Sequence, residues 1–148
     1  MSLKDDISND MKAALKARDR VRLGSIRMLQ AAIQRCEVDD RVMLDDAGVI
    51  AIVEKLIKQG RDAAGQFVKG NRQDLADKEL ADISVWKKYL PEQLGDDEVN
   101  AMIEAAIADT GAASMKDMGK VMGQLKARLQ GRADMGQVSA RIKARLAG

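Results

Sequence analysis

The chain has 148 residues, 46% of them hydrophobic and 2% aromatic, with no histidine, one cysteine and a net charge of +2. A lone cysteine excludes an internal disulfide and suits a reducing compartment, and one Cys without His leaves no usual zinc ligand set. No apolar run approaches the roughly 20 residues of a membrane span, and Met1-Ser2-Leu3-Lys4-Asp5-Asp6 resembles neither a signal nor a transit peptide, so a cytoplasmic setting without membrane contact is expected.

In chain order, Ser2 and Asp5 have the spacing of a capping box, and Leu3, Ile7, Met11 and Leu15 form the stripe of a first amphipathic helix. Asp19 caps a second, which should bury Leu23, Ile26, Leu29, Ile33 and Cys36. Arg20, Arg22 and Arg27 lie off that stripe: a solvated face is the first reading, a secondary basic patch the alternative. Residues 37–44 are polar without a stripe and read as a loop. Asp45 caps a long third helix with Val49, Val53, Leu56, Ile57, Ala64 and Phe67 inward, interrupted by Gly60. Gly70 ends it, and Asn71 with Asp74 is predicted to open a fourth helix through Ala76, Leu80, Ile83, Trp86 and Leu90.

Pro91, the single proline, then breaks the pattern, because the residue before a proline is pushed out of the helical region. Beyond it, Asp96-Asp97-Glu98 favour a helix N-terminus. Val99, Met102, Ile103, Ala106 and Ile107 face inward and Gly111 terminates the helix. Ser114 and Asp117 cap a sixth helix with the stripe Met118, Val121, Met122, Leu125 and Leu129. Gly131 stops it, and Asp134 with Gln137 caps a seventh that buries Met135, Val138, Ile142 and Leu146. No segment alternates with period two. The expected fold is all-α: an N-terminal antiparallel four-helix domain (residues 1–90), a hinge at 91–95 pivoting on Leu90 and Pro91, and a C-terminal three-helix domain (96–148).

The chemistry is that of binding. Cys36 has no histidine base and sits on a buried stripe, which suits an inert thiol, and the acid pairs lie where helix capping explains them. No catalytic residue, metal or cofactor is expected. From Ser114 onward eight basic residues face two acidic ones. Lys116, Lys120, Lys126, Arg128, Arg132, Arg141, Lys143 and Arg145 are therefore the candidate phosphate contacts. Gly119 and Gly123, one helical turn apart, suggest a close approach of backbones, first of all helix against helix, and otherwise of a nucleic-acid backbone. Gly131 belongs to the turn that carries Arg132.

Four stretches taken together resemble the GatB/YqeY family: Lys55-Leu56-Ile57-Lys58-Gln59-Gly60-Arg61-Asp62, Gly70-Asn71-Arg72-Gln73-Asp74-Leu75-Ala76, Tyr89-Leu90-Pro91-Glu92-Gln93-Leu94, and the segment from Ser114 through Gly136. Gly60 and Gly95 depart from the family pattern. The resemblance implies a stand-alone relative of the tail of the B subunit of glutamine-dependent tRNA amidotransferase, a tail associated with holding tRNA while chemistry occurs elsewhere. The expected partner is tRNA rather than DNA, with amidotransferase or aminoacyl-tRNA synthetase components as further candidates. The alternatives are an accessory role in transamidation, in line with the family label of a carbon–nitrogen ligase using glutamine as amido donor, or a protein-interaction module without RNA. The residues contain no nucleotide loop or amidase nucleophile that would make the chain a ligase by itself.

Overall fold

Short polar caps alternating with aliphatic stripes produce helices throughout the computed structural model, which describes residues 2–147. These are α1 (Leu3–Lys16), α2 (Arg20–Asp40), α3 (Asp46–Lys69), α4 (Gln73–Trp86), α5 (Asp96–Thr110), α6 (Met118–Leu129) and α7 (Met135–Ala147). Short 3-10 turns cover Lys87–Tyr89 and Met115–Asp117. No strand occurs among the described residues, and the fold is all-α. The predicted capping boxes at Ser2/Asp5 and Ser114/Asp117 are both present, and Asp19 and Asp45 accept from Arg22 N and Gly48 N.

The chain divides into two compact units, one ending at Leu90 and the other beginning at Pro91. In the first, α1 packs on α2, α2 on α3 and α4, and α3 runs along α4. Its core holds Ile7, Ala14, Ile26, Leu29, Ile33, Val49, Val53, Ile57, Ile83, Trp86 and Tyr89. A polar seam crosses this core. Ser25 Oγ donates to Asp82 Oδ1 at 2.5 Å, and Trp86 Nε1 donates to the Ser25 carbonyl at 2.8 Å. The tyrosine hydroxyl at position 89 donates to Asp10 Oδ2 at 2.7 Å. Burial, with the Asp10 carboxylate beside it, pushes the Tyr89 phenol well above its ordinary range. In the second unit α5, α6 and α7 enclose Val99, Ile103, Ala106, Val121, Leu125, Leu129, Val138 and Ile142, a core with no buried polar side chain among the described residues.

Several local expectations give way to geometry. Helix α2 continues to Asp40, so the 37–44 loop shrinks to a few residues closed by Arg41 in the left-handed region. Glu37 replaces loop flexibility with bonds: its Oε2 accepts from Lys4 Nζ and from Leu44 N, each at 2.7 Å. Asn71 does not cap α4. At φ 59° it closes the end of α3, where Arg72 N reaches back to the Phe67 carbonyl at 2.8 Å, and asparagine tolerates that conformation better than other side chains. Arg72 is the N-cap instead, without a capping side chain. Leu15 and Leu80 lie exposed, because the buried stripes pass through Ala14 and through Asp82 and Ile83. Cys36 is half-buried rather than enclosed; its thiol donates to Asp40 Oδ2 at 3.4 Å, a bond that raises its pKa and keeps it protonated.

Candidate nucleic-acid interface

The candidate cations sit on α6, α7 and the turns before them. The apolar stripe of α6 turns Val121, Leu125 and Leu129 into the core. At 3.6 residues per turn, this leaves Lys120 near the middle of the solvent face, with Lys126 and Arg128 on its two flanks. These three, together with Lys116 and Lys143, are exposed. None of the five has an ion-pair partner among the described residues. Asp117 lies near Lys120, but its carboxylate is committed to the Ala113 and Ser114 amides, which hold its pKa below the usual range.

The other three cations are engaged. Arg141 Nη2 lies 2.9 Å from Asp96 Oδ1, and its Nη1 donates to Asn100 Oδ1 at 3.2 Å. Arg145 forms a two-pronged pair with Glu104, at 2.6 and 3.1 Å, which lowers the Glu104 pKa and raises that of the guanidinium. Arg132 Nε donates to the Glu92 carbonyl at 3.3 Å. Nearby, Leu94 N bonds the Arg132 carbonyl at 2.9 Å and Gln93 Nε2 bonds the Gly131 carbonyl. Residues 92–94 are thereby fastened to the α6–α7 turn.

The three singled-out glycines separate into two kinds. Gly131 is buried at φ 79°, a backbone state for which glycine is the ordinary choice. Gly119 and Gly123 are exposed, and a Cβ on either would meet nothing within 4 Å. Helix-on-helix packing is therefore not what they serve. The glycine that does serve it is Gly60, buried on α3, where a Cβ would come within 3.1 Å of Ile83 on α4.

A profile of the family described as Yqey-like protein matches residues 4–146. The chain belongs to the YqeY-like family. Among curated relatives it is similar to altered inheritance of mitochondria protein 41, mitochondrial, from Pyrenophora tritici-repentis, at 27% identity over 84% of this chain and 69% of that one. The protein of the same name from Lachancea thermotolerans is 35% identical over 57% of this chain and 46% of the relative. The chain thus spans between about half and two thirds of the relatives it matches. No helix among the described residues is long and apolar enough to cross a membrane.

Within this YqeY-like chain, sequence reasoning missed the acids that face the basic tail. Counted over the whole second unit, residues 91–148, eight basic residues meet eight acidic ones, and six of those acids precede Ser114. A signal was present. Asp96, Asn100 and Glu104 recur every four residues on one face of α5, and Arg141 and Arg145 do the same on α7, a spacing that lines each set up along its own helix and that the pairs across α5 and α7 match. No group of three or more Asp, Glu or Cys side chains among the described residues is arranged to hold a metal ion.

Proposed function

We propose that this YqeY-like chain is a non-catalytic adaptor that binds tRNA through the C-terminal unit. The observation that supports it is the solvent face of α6: Lys120 and Lys126 are exposed and unpaired on either side of Gly119 and Gly123, which leave room for an incoming backbone, and Arg128 is exposed and unpaired at the margin of that face. Lys116 and Lys143 extend the surface, while Arg132 holds the 92–94 segment and Arg141 and Arg145 hold α7, the last two joining the phosphates when Asp96 and Glu104 are displaced. Such contacts fix the position of an RNA and carry little sequence information. With one Trp, one Tyr and one Phe in the chain, recognition rests on backbone and shape.

In this reading residues 1–90 form a four-helix domain and 96–148 a three-helix domain. Because residues 92–94 are bonded to the latter, the pivot falls at Leu90–Pro91. Amidotransferase or synthetase components are the protein partners the family resemblance suggests, and the cytoplasmic setting belongs to the same proposal. The deciding test is anisotropy of labelled total tRNA across a salt series with Lys120, Lys126 and Arg128 changed together to Glu. The expected result is a large loss of affinity and a salt slope lower by roughly 0.7–0.9 per contact removed. Unchanged binding overturns the reading.

A further inference from the structure

The densest run of positive charge lies outside the C-terminal unit. Residues 11–36 contain seven basic residues and a single acid, Asp19. That acid is occupied: its Oδ1 accepts from the Arg22 amide at 3.1 Å and caps α2. Of the seven, only Arg22 has an ion-pair partner among the described residues, Asp10 at 3.7 Å.

The placement on α2 is regular. At 100° per residue, Arg20, Arg27 and Arg35 fall within about 80° of one another around the helix, with axial separations of about 10.5 and 12 Å. All three are exposed. Gly24 and Ala31 lie between them on the same face, also exposed, and a Cβ on Gly24 would meet nothing within 4 Å. The opposite side of the helix carries the buried Ile26, Leu29 and Ile33, so this face is not needed for the core. We infer that the solvent face of α2 is a second phosphate-directed surface, on which Arg20, Arg27 and Arg35 take the backbone of an RNA.

Three features favour an RNA over other polyanions. The cations of the row are all arginines, whose planar fork matches phosphate oxygens. The gaps between them are filled by the smallest side chains, which admits a ribose-phosphate chain close to the helix. An anionic membrane would instead call for large apolar or aromatic side chains on the same face, and a protein partner for buried anchors; Val21 and Met28 at the margin and Val38 at the far end are the exposed large apolar residues there, none of them aromatic. The row lies wholly on α2 and shares no residue with α6 or α7.

The test is salt-dependent anisotropy of fluorescein-labelled total tRNA with three full-length proteins: the parent, Arg20→Glu/Arg27→Glu/Arg35→Glu, and Lys120→Glu/Lys126→Glu/Arg128→Glu. Circular dichroism and thermal melts verify folding, and Arg20→Gln/Arg27→Gln/Arg35→Gln replaces the Glu variant if that one unfolds. The expected result is a salt slope lower by roughly 2–3 units in the α2 variant, at 0.7–0.9 per contact. If only the α6 variant loses binding, the α2 inference falls and the proposed function stands. If only the α2 variant loses it, the inference stands and the C-terminal assignment falls. A parent that binds no tRNA at low salt overturns both. So does an α2 variant that loses binding to poly-glutamate or phosphatidylserine vesicles but not to tRNA, as far as the α2 row is concerned.

Discussion

In the second unit three of eight cations are held by oxygens of the chain itself, at Asp96, Glu104 and the Glu92 carbonyl. On α2 of the first unit Arg20, Arg27 and Arg35 face solvent without a carboxylate within ion-pair distance among the described residues. Yet counted along the chain the segment from Ser114 is more basic than α2 itself, eight basic to two acidic residues against four to three. Net charge of a segment measures what is present; the packing of helices decides what is available. Acids 45 and 41 residues before the arginines they pair with are invisible to a window and adjacent in the folded unit. The cores differ as well. The first unit is tied by the Ser25–Asp82–Trp86 seam, whereas the second relies on aliphatic packing.

The largest expected effect breaks the first unit alone. Trp86→Ala removes the largest fully buried side chain and the bond to Ser25, at a cost of about 3–5 kcal/mol. Hydrogen exchange should report loss of protection across residues 2–90 with α5 to α7 unchanged; equal loss in both would remove the basis for treating the units separately. The next variant makes the second unit resemble α2. Asp96→Asn with Glu104→Gln frees Arg141 and Arg145, and the tRNA salt slope should rise by about 1.5 units. An unchanged slope would mean that the two arginines serve only to fasten α7.

A smaller change separates folding from binding on α6. Because Gly119 and Gly123 have open space and negative φ, alanine at either should stabilise the helix by about 0.5–1 kcal/mol. The melting temperature should rise while tRNA affinity falls, and a rise in both would leave the glycines without a role in approach. The smallest effect concerns acid. The Lys4 bond, and then the Leu44 amide, hold the Glu37 carboxyl below its ordinary value of 4.5. A depressed carboxylate adds stability that is fully present above that value and is lost as pH falls through the lowered one. Glu37→Gln should therefore lower the melting temperature slightly at neutral pH and flatten the acid-side decline of the first unit. An unaltered acid profile would assign that decline to other carboxylates.

Much of the fold was legible locally, because a cap or stripe depends on residues three or four apart. Ser2, Asp19 and Asp45 begin helices as their spacing suggests and Ser114 opens the 3-10 turn that leads into α6, while the stripes of α5, α6 and α7 face the core as read, with Met102, Ile107, Met118, Met122, Met135 and Leu146 only partly buried. Errors arose where two segments compete for one residue. Asn71 is an acceptable N-cap by type, but the end of α3 claims it for a left-handed turn. Leu80 fits a stripe by hydrophobicity, but α2 presents Ser25 to α4 and draws Asp82 inward.

The sequence by itself determined an all-helical chain, most of its helix caps, the break at Pro91 and its place in the YqeY-like family, since all of these follow from short-range spacing or from motifs read in order. Tertiary structure alone decided which glycines lie against a neighbour and which cations remain free. Gly60 meets Ile83 while Gly119 and Gly123 meet nothing, and Arg141 and Arg145 meet α5 while the α2 arginines meet solvent. Those outcomes depend on which helix faces which, and no local rule contains that information.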